Sequence, residues 1–345
     1  MTVPPIHIIT PVWGTAYTRC FLDIGLRSLM SPGNLPGLAS EPRNVIHLLT
    51  TAADLKVIEK SPVWNCAKQV AECLVDVIGA DAVNVSNPHE TMSVCHRRAI
   101  EAGDAAGAAL MFYAPDVVIA DGGMRTLVRL LAAGKRAVQV VGLRMQKEEV
   151  VPLLLRDHIA ADGTNLVISS RELMAMAMAH LHPLTKMHVD GMNEYDLMPQ
   201  EIFWPAGKHG LVARCFHIHP LLVYPRVRNA PFSTTIDDDY LRTACPDPND
   251  EYVVTDSDEL CVFELSSMQR ALIGLRRQPD YRDVAEWAWS SARPHHLEHF
   301  SRRIILHTGG TGGPEWLSAL SRCDAAVKRI FEHLLDFEIR AGSRH

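Results

Sequence analysis

Residues 1–145 alternate short apolar, β-rich runs with stretches of helical period. This alternation restricts the fold more than any other feature of the 345-residue chain. Residues 6–10 (Ile-His-Ile-Ile-Thr) are β-rich and end at Pro11. Residues 17–30 place Phe21, Leu22, Leu26 and Leu29 on one side, the spacing of a helix, and Ser31-Pro32-Gly33-Asn34 stops it. A second apolar run covers 45–50. Residues 64–78 carry Val70, Cys73, Leu74 and Val77 at three- and four-residue steps, which predicts a helix. A third strand is expected over 81–85, an Ala-rich helix over 90–110, and a fourth strand over 116–121 that ends on an acid. A helix over 124–133 and a fifth strand over 136–143 complete the series. Such alternation predicts an α/β layer with a mostly parallel sheet and helices on both faces. Right-handed crossovers then gather the strand C-terminal ends on one edge, where ligands bind.

The pattern changes after residue 145. Segment 186–262 is rich in Pro, His and Asp, with short strands expected over 210–216, 221–224 and 251–255. The last 80 residues read mostly as helix (266–276, 281–292 and 316–339), interrupted by a strand over 303–306. The expected divisions are a nucleotide-type α/β half over 1–145, a second half of the same sheet over 146–265, and a helical region over 266–345. Lys+Arg 34 against Asp+Glu 40 gives a net charge of −6, which argues against a general nucleic-acid binder. No apolar run of about 18 residues is present, so no membrane span is expected. The N-terminus lacks a basic region followed by an apolar run, so no signal peptide is expected. Eight scattered cysteines without a Cys-x-x-Cys pair suggest reduced thiols and a cytoplasmic protein.

Five constellations carry chemistry. The turn Thr10-Pro11-Val12-Trp13-Gly14 suits a nucleoside at a sheet edge, because main-chain groups can pair with a base and an aromatic can pack on it. It is neither a dinucleotide fingerprint nor a P-loop. Asp121, followed by two glycines, can hold Mg²⁺ or Mn²⁺ against a diphosphate, bond a ribose hydroxyl, or cap the next helix. Arg97 or Arg98 can face phosphate oxygens through a guanidinium fork, or sit on a solvated helix face. Asp256-Ser257-Asp258 is a literal Asp-x-Asp at a strand end, so both carboxylates can approach one cation. The acidic run Asp237-Asp238-Asp239 lies upstream. Among 17 histidines, His217 and His219 share a face if they lie on a strand, and His219 is retained as an acceptor-site residue or general base. Finally, His307 precedes a glycine loop and Pro314, which offer free N–H groups to a phosphate or form a hinge. His307 is a further candidate metal ligand.

The segments Ile8-Ile9-Thr10-Pro11-Val12-Trp13-Gly14 and Arg97-Arg98-Ala99-Ile100-Glu101-Ala102-Gly103 through Asp121 resemble the nucleotide-diphospho-sugar transferases, the GT-A-fold glycosyltransferases. The resemblance covers residues 6–143 and extends loosely beyond. It implies a GT-A-like Rossmannoid mixed sheet flanked by helices, with a helical C-terminal part. It also implies transfer of a sugar from a nucleotide-sugar donor to an acceptor. Thr10 to Gly14, Arg97 and Asp121 would then bind the donor, and a divalent cation would sit on Asp121, Asp256 and Asp258. Asp237, Asp256 or His219 would serve as base. The family's metal motif is Asp-x-Asp at the end of the central strand, whereas one carboxylate, Asp121, is expected there in this chain. Another nucleotide-binding enzyme, such as a nucleotidyltransferase, and a non-catalytic α/β scaffold remain alternatives, and a homo-oligomer is left open.

Overall fold

The computed structural model describes residues 3–38, 44–79, 82–84, 86–192, 195–196, 198–231, 236–269, 274–275 and 280–342. Its strands are β1 (Ile6–Val12), β2 (Val45–Thr51), β3 (Glu72–Ile78), β4 (Ala109–Phe112), β5 (Val117–Ile119), β6 (Ala137–Val140) and β7 (Arg144–Gln146). They continue with β8 (Tyr195–Asp196), β9 (Glu201–Pro205), β10 (Gly210–Cys215), β11 (His219–Val223) and β12 (Glu251–Val253). The last three are β13 (Val262–Ser266), β14 (Gly274–Leu275) and β15 (Ile304–His307).

Seven of these form the main sheet in the order β12-β6-β11-β4-β1-β2-β3. All run the same way except β11, which is antiparallel to β4 and β6. Every residue of β1 is buried. Its near-continuous apolar run is what a strand covered on both faces requires. Ile6, Ile8 and Val12 pack with Leu48, Trp64 and Leu127 on one face, and Ile9 packs with Leu49, Ile100 and Phe112 on the other. The mixed α/β sheet, its flanking helices and the helical C-terminus agree with the GT-A-like arrangement expected from the sequence. Strands β11 and β12, although drawn from residues 219–253, belong to the same sheet as β1.

Two three-stranded sheets, β15-β10-β9 and β5-β13-β7, and a β14-β8 pair flank the main one. The long helix Pro314–Gly342 seats Trp316, Ala319, Cys323 and Ala326 against Trp204 and Val212 of the first small sheet. Phe216 stacks on Phe300 at 3.9 Å between ring centres, beneath helix Tyr281–Ser291. No helix among the described residues is long and apolar enough to cross a membrane, and none of the eight cysteines forms a disulfide.

Several boundaries differ from the sequence expectation. The helix expected over 64–78 is a helix, Pro62–Val70, followed by the edge strand β3. Ala71 is already extended, and pairing with β2 overrides the helical spacing of Cys73, Leu74 and Val77. The strand expected over 81–85 does not form over 82–84, and residues 81 and 85 lie outside the described residues. The expected helix over 90–110 ends at Ala105, Gly107 turns the chain with φ +68°, and residues 109–112 become β4. Consequently β4 is the fourth strand of the main sheet, while the apolar run leading to Asp121 forms β5 in a different sheet. The helix expected over 266–276 is replaced by the end of β13 and by β14, with residues 270–273 and 276 outside the described set.

Tyr113 fastens the exit of β4. Its buried hydroxyl lies 2.9 Å from Ser28 Oγ and donates toward Val117 O at 2.9 Å and Gly25 O at 3.2 Å. Tyr113→Phe is expected to cost about 1–3 kcal/mol, because the buried acceptors lose their donor. A lower urea midpoint at unchanged m-value checks this.

Candidate functional site

The parallel strands deliver their C-terminal ends to one edge of the main sheet. Trp13 and Gly14 follow β1 there, Tyr113 to Asp116 follow β4, and Val254 to Asp258 follow β12. The antiparallel β11 begins at the same edge with His219, which is exposed and pairs with Val140. Successive strands β2 and β3 extend to one side of β1 and β4 lies on the other, so the topological switch point falls between β1 and β4.

Thr10, Pro11 and Val12 lie buried within β1, opposite Leu48, Leu49 and Thr50. Trp13 and Gly14 carry the chain out of the sheet. Gly14 has φ +82°, and its N–H donates to Asp54 Oδ2 at 2.9 Å. Asp54 also accepts from Thr18 Oγ1 at 3.1 Å and Thr51 Oγ1 at 2.7 Å, so one carboxylate shapes this turn. A side chain at Gly14 would meet nothing within 4 Å, which leaves open space at the turn.

Arg97 lies on an exposed face of helix Pro88–Ala105. Asp121 follows β5. Its Oδ1 accepts from Gly33 N at 2.6 Å and from the Ser31 hydroxyl, closing the turn at 31–33. A Cβ on Gly33 would stand 2.6 Å from Gly122 N, so only glycine permits this approach. Helix Gly123–Ala132 is preceded by Gly122 in the left-handed region, with no cap from Asp121. Asp121→Ala is expected to cost about 1–2 kcal/mol through the two donors it strands, read by urea denaturation.

Asp256, Asp258 and His307 converge. The chain leaving β12 runs beside β15, with Ile305 N bonded to Thr255 O at 2.8 Å and Ser257 N to Ile305 O at 3.0 Å. The His307 N–H donates to Ser257 Oγ at 3.0 Å. These bonds bring His307 Nε2 to 2.9 Å from Asp256 Oδ1 and 3.7 Å from Asp258 Oδ2. One ligand atom from each residue lies within 4.8 Å of the others, so the three can hold a metal ion. The group assembled among the described residues does not include Asp121. The Nδ1 edge of His307 meets Gly309 O, and with its proton there a neutral ring turns a lone pair toward the two aspartates. Two carboxylates and one imidazole fit Mn²⁺ better than Mg²⁺, which favours oxygen alone. Arg171 grips Asp258 with Nε at 3.1 Å from both oxygens and Nη2 at 2.8 Å, and these bonds hold the Asp258 carboxyl below the usual range. Beside the group, Thr308, Lys208 and His209 line a cleft of about 590 Å³ with Ala175, Met178 and Ala179.

A second charged cluster sits at the switch point. Asp116 follows β4, and its O accepts from Leu265 N at 2.8 Å. Glu264 of β13 pairs with Arg144 of β7, and Lys147 opens the helix Lys147–Asp157. Burial, then the charge of Glu264, pushes the Asp116 carboxyl up to about 7, against the pull of Arg144 and Lys147. Sequence reading passed over Asp116 because it took residues 109–110 as the end of a helix and 116–121 as one strand ending on Asp121, whereas β4 ends at Phe112 and β5 begins at Val117. Arg144, Lys147 and Glu264 carry no local signal, since separate strands and a helix bring them together.

His217, His295, His296 and His299 form a network of their own. His217 precedes β11, so the period-two argument does not apply to it. Its ring lies 4.1 Å from that of His296, which lies 4.0 Å from His295. His299 Nε2 is 3.4 Å from Glu251 Oε2, and Arg242 pairs with the other oxygen. Burial raises the Glu251 carboxyl, but the His299 hydrogen bond and the Arg242 charge outweigh it and leave it below the usual range. Asp237 falls in the single turn Ile236–Tyr240, and its side chain lies outside the described residues. Burial lowers His295 to about 4 and His296 to about 3. Unfolded histidines bind protons below about 6.5, so between that pH and about 4 the unfolded chain takes up more protons and acid favours it. The Tm is expected to fall as pH drops from 6.5 to 4, and His296→Gln to flatten that fall, read by scanning fluorimetry.

No family model and no curated protein matches the chain. Among solved structures it is similar to the crystal structure of S. aureus TarS, at 11% identity and a TM-score of 0.34. The match covers 94% of this chain and 49% of that one, so this chain spans about half the length of that protein.

Proposed function

We propose that the chain is a glycosyltransferase that moves a sugar from a nucleotide-diphosphate donor to an acceptor hydroxyl. The observation that carries this reading is the mixed sheet whose one edge holds both the Trp13–Gly14 turn at its switch point and the Asp256–Asp258–His307 group. In this reading residues 1–145 form the donor half. Trp13 and Gly14, where the chain leaves β1, offer the nucleoside its platform, with Thr10 to Val12 buried beneath them in the strand, and Arg97 and Asp121 belong to the donor side. Residues 146–265 form the acceptor side, with His219 at its rim, and 266–345 is a helical cover. Asp256, Asp258 and His307 would hold a divalent cation. A bound cation offsets the charge that grows on the departing diphosphate. To accept it, Asp258 must be released from Arg171.

Thermal shift with UDP, GDP, CDP, NAD and S-adenosylmethionine, each with and without Mn²⁺, tests the reading, because bound ligand stabilises the fold by mass action. UDP or GDP is expected to raise the Tm, and Mn²⁺ to enlarge the rise. Asp256→Asn and Asp258→Asn should each remove the Mn²⁺-dependent part. A response to NAD alone would overturn the reading, and silence toward every ligand would favour a non-catalytic scaffold.

A further inference from the structure

Arg171 lies in the first turn of helix Ser170–Ala179, where the helix dipole disfavours a positive side chain. Asp258 offsets that cost. Both of its oxygens are in use, with Arg171 Nε at 3.1 Å from each and Nη2 at 2.8 Å from Oδ2. The same carboxylate stands 3.7 Å from His307 Nε2 and completes the candidate metal group. Arg171 and a divalent cation therefore compete for Asp258. The carboxylates are the fixed part. The Asp258 N–H donates to Asp256 Oδ1 at 2.8 Å, and Ser257 is tied to Ile305 and His307 by 3.0 Å bonds. The helix is fixed as well, by the reciprocal Ser169–Glu172 cap and the buried Leu173, Met174 and Ala177. The Arg171 side chain is 58% exposed, so it can swing away without disturbing the core. Ala175 and Ala179, four and eight residues on, share its helix face and line the cleft of about 590 Å³ beside the metal group. Lys208, between β9 and β10, brings a second positive charge to that cleft. Two cations beside a metal group suit an anion with more than one charged group.

We propose that Arg171 is a binding residue that exchanges partners: when a divalent cation takes Asp258, the guanidinium turns to a diphosphate in the adjoining cleft. The inference rests on the glycosyl-transfer reading and gives the donor diphosphate a contact besides the cation. Cation and diphosphate then favour each other's binding, because both draw on the released arginine.

The test follows Mn²⁺ binding to the full chain by the EPR signal of the free ion. Calorimetry measures UDP, pyrophosphate and uridine binding with and without Mn²⁺. Both side chains lie at the surface, so each variant should fold, checked by its unliganded Tm. Arg171→Gln is expected to tighten Mn²⁺ binding about threefold or more, because the competing ion pair is gone. The same variant should weaken UDP and pyrophosphate binding in Mn²⁺ about tenfold, through loss of a charge-assisted bond. Opposite signs mark the exchange, since a merely structural arginine would move neither constant or lower both affinities. Asp258→Asn releases Arg171 without metal. It should therefore bind metal-free pyrophosphate about threefold or more tightly than wild type, and adding Arg171→Gln should abolish that gain. Mn²⁺ binding that is equal or weaker in Arg171→Gln, or a pyrophosphate gain that is absent in Asp258→Asn or survives in the double variant, would each overturn the exchange alone. Pyrophosphate bound as tightly as UDP, with uridine unbound, would overturn the nucleotide-donor reading and leave the exchange standing. Absence of Mn²⁺ binding from both wild type and Arg171→Gln would overturn the metal reading and the exchange with it.

Discussion

Burial of β1 on both faces, between β4 on one side and β2 on the other, is the constraint from which the site geometry follows. A strand in that position bonds its backbone laterally, and β1 pairs with β2 from His7 to Val12 and with β4 from Ile6 to Ile9. The first residues free of the ladder are therefore Trp13 and Gly14, at the one place where neighbouring connections diverge. The antiparallel insertion of β11 between β4 and β6 then turns His219 to the same edge, which a purely parallel order would have sent to the opposite one.

That edge carries two charged clusters of different character. Asp256, Asp258 and His307 are held by main-chain bonds between the β12 exit and β15, and Arg171 offsets the charge of Asp258 from outside. Asp116 and Glu264 sit among buried strands with Arg144 and Lys147. Strands β12 and β4 are three intervals apart in the sheet, or roughly 14 Å. The first cluster is built to attract positive charge, while the second already contains its cations. The first suits a metal ion.

The main strands were legible where local pattern and tertiary demand agree. Residues 6–10 and 45–50 are β-rich, mostly apolar runs, and both became buried strands. Legibility failed where composition favours one state and pairing another. Ala-rich 105–110 reads as helix until Gly107 breaks it and β1 recruits 109–112. Cys73 to Ile78 has helical spacing, but the open edge of β2 claims it. The Asp256–Asp258 pair was legible as a spacing, and His307 as a residue ahead of a glycine loop. Their meeting was not, because it depends on pairing between residues some fifty positions apart. Arg171, Arg144 and Glu264 have no local mark at all.

The misplaced boundary at β4 hid a contrast between two acids. An acid at the end of an apolar strand has two physical fates. If nearby N–H and O–H groups close on it, it becomes a brace, as Asp121 does for Ser31 and Gly33. If the neighbours are strands that bury it and a second carboxylate that repels it, the charge is costly and the group becomes basic, as with Asp116. Only the first fate stabilises the fold. A carboxyl kept in the second state weakens the native protein at and above neutral pH, when it must ionise.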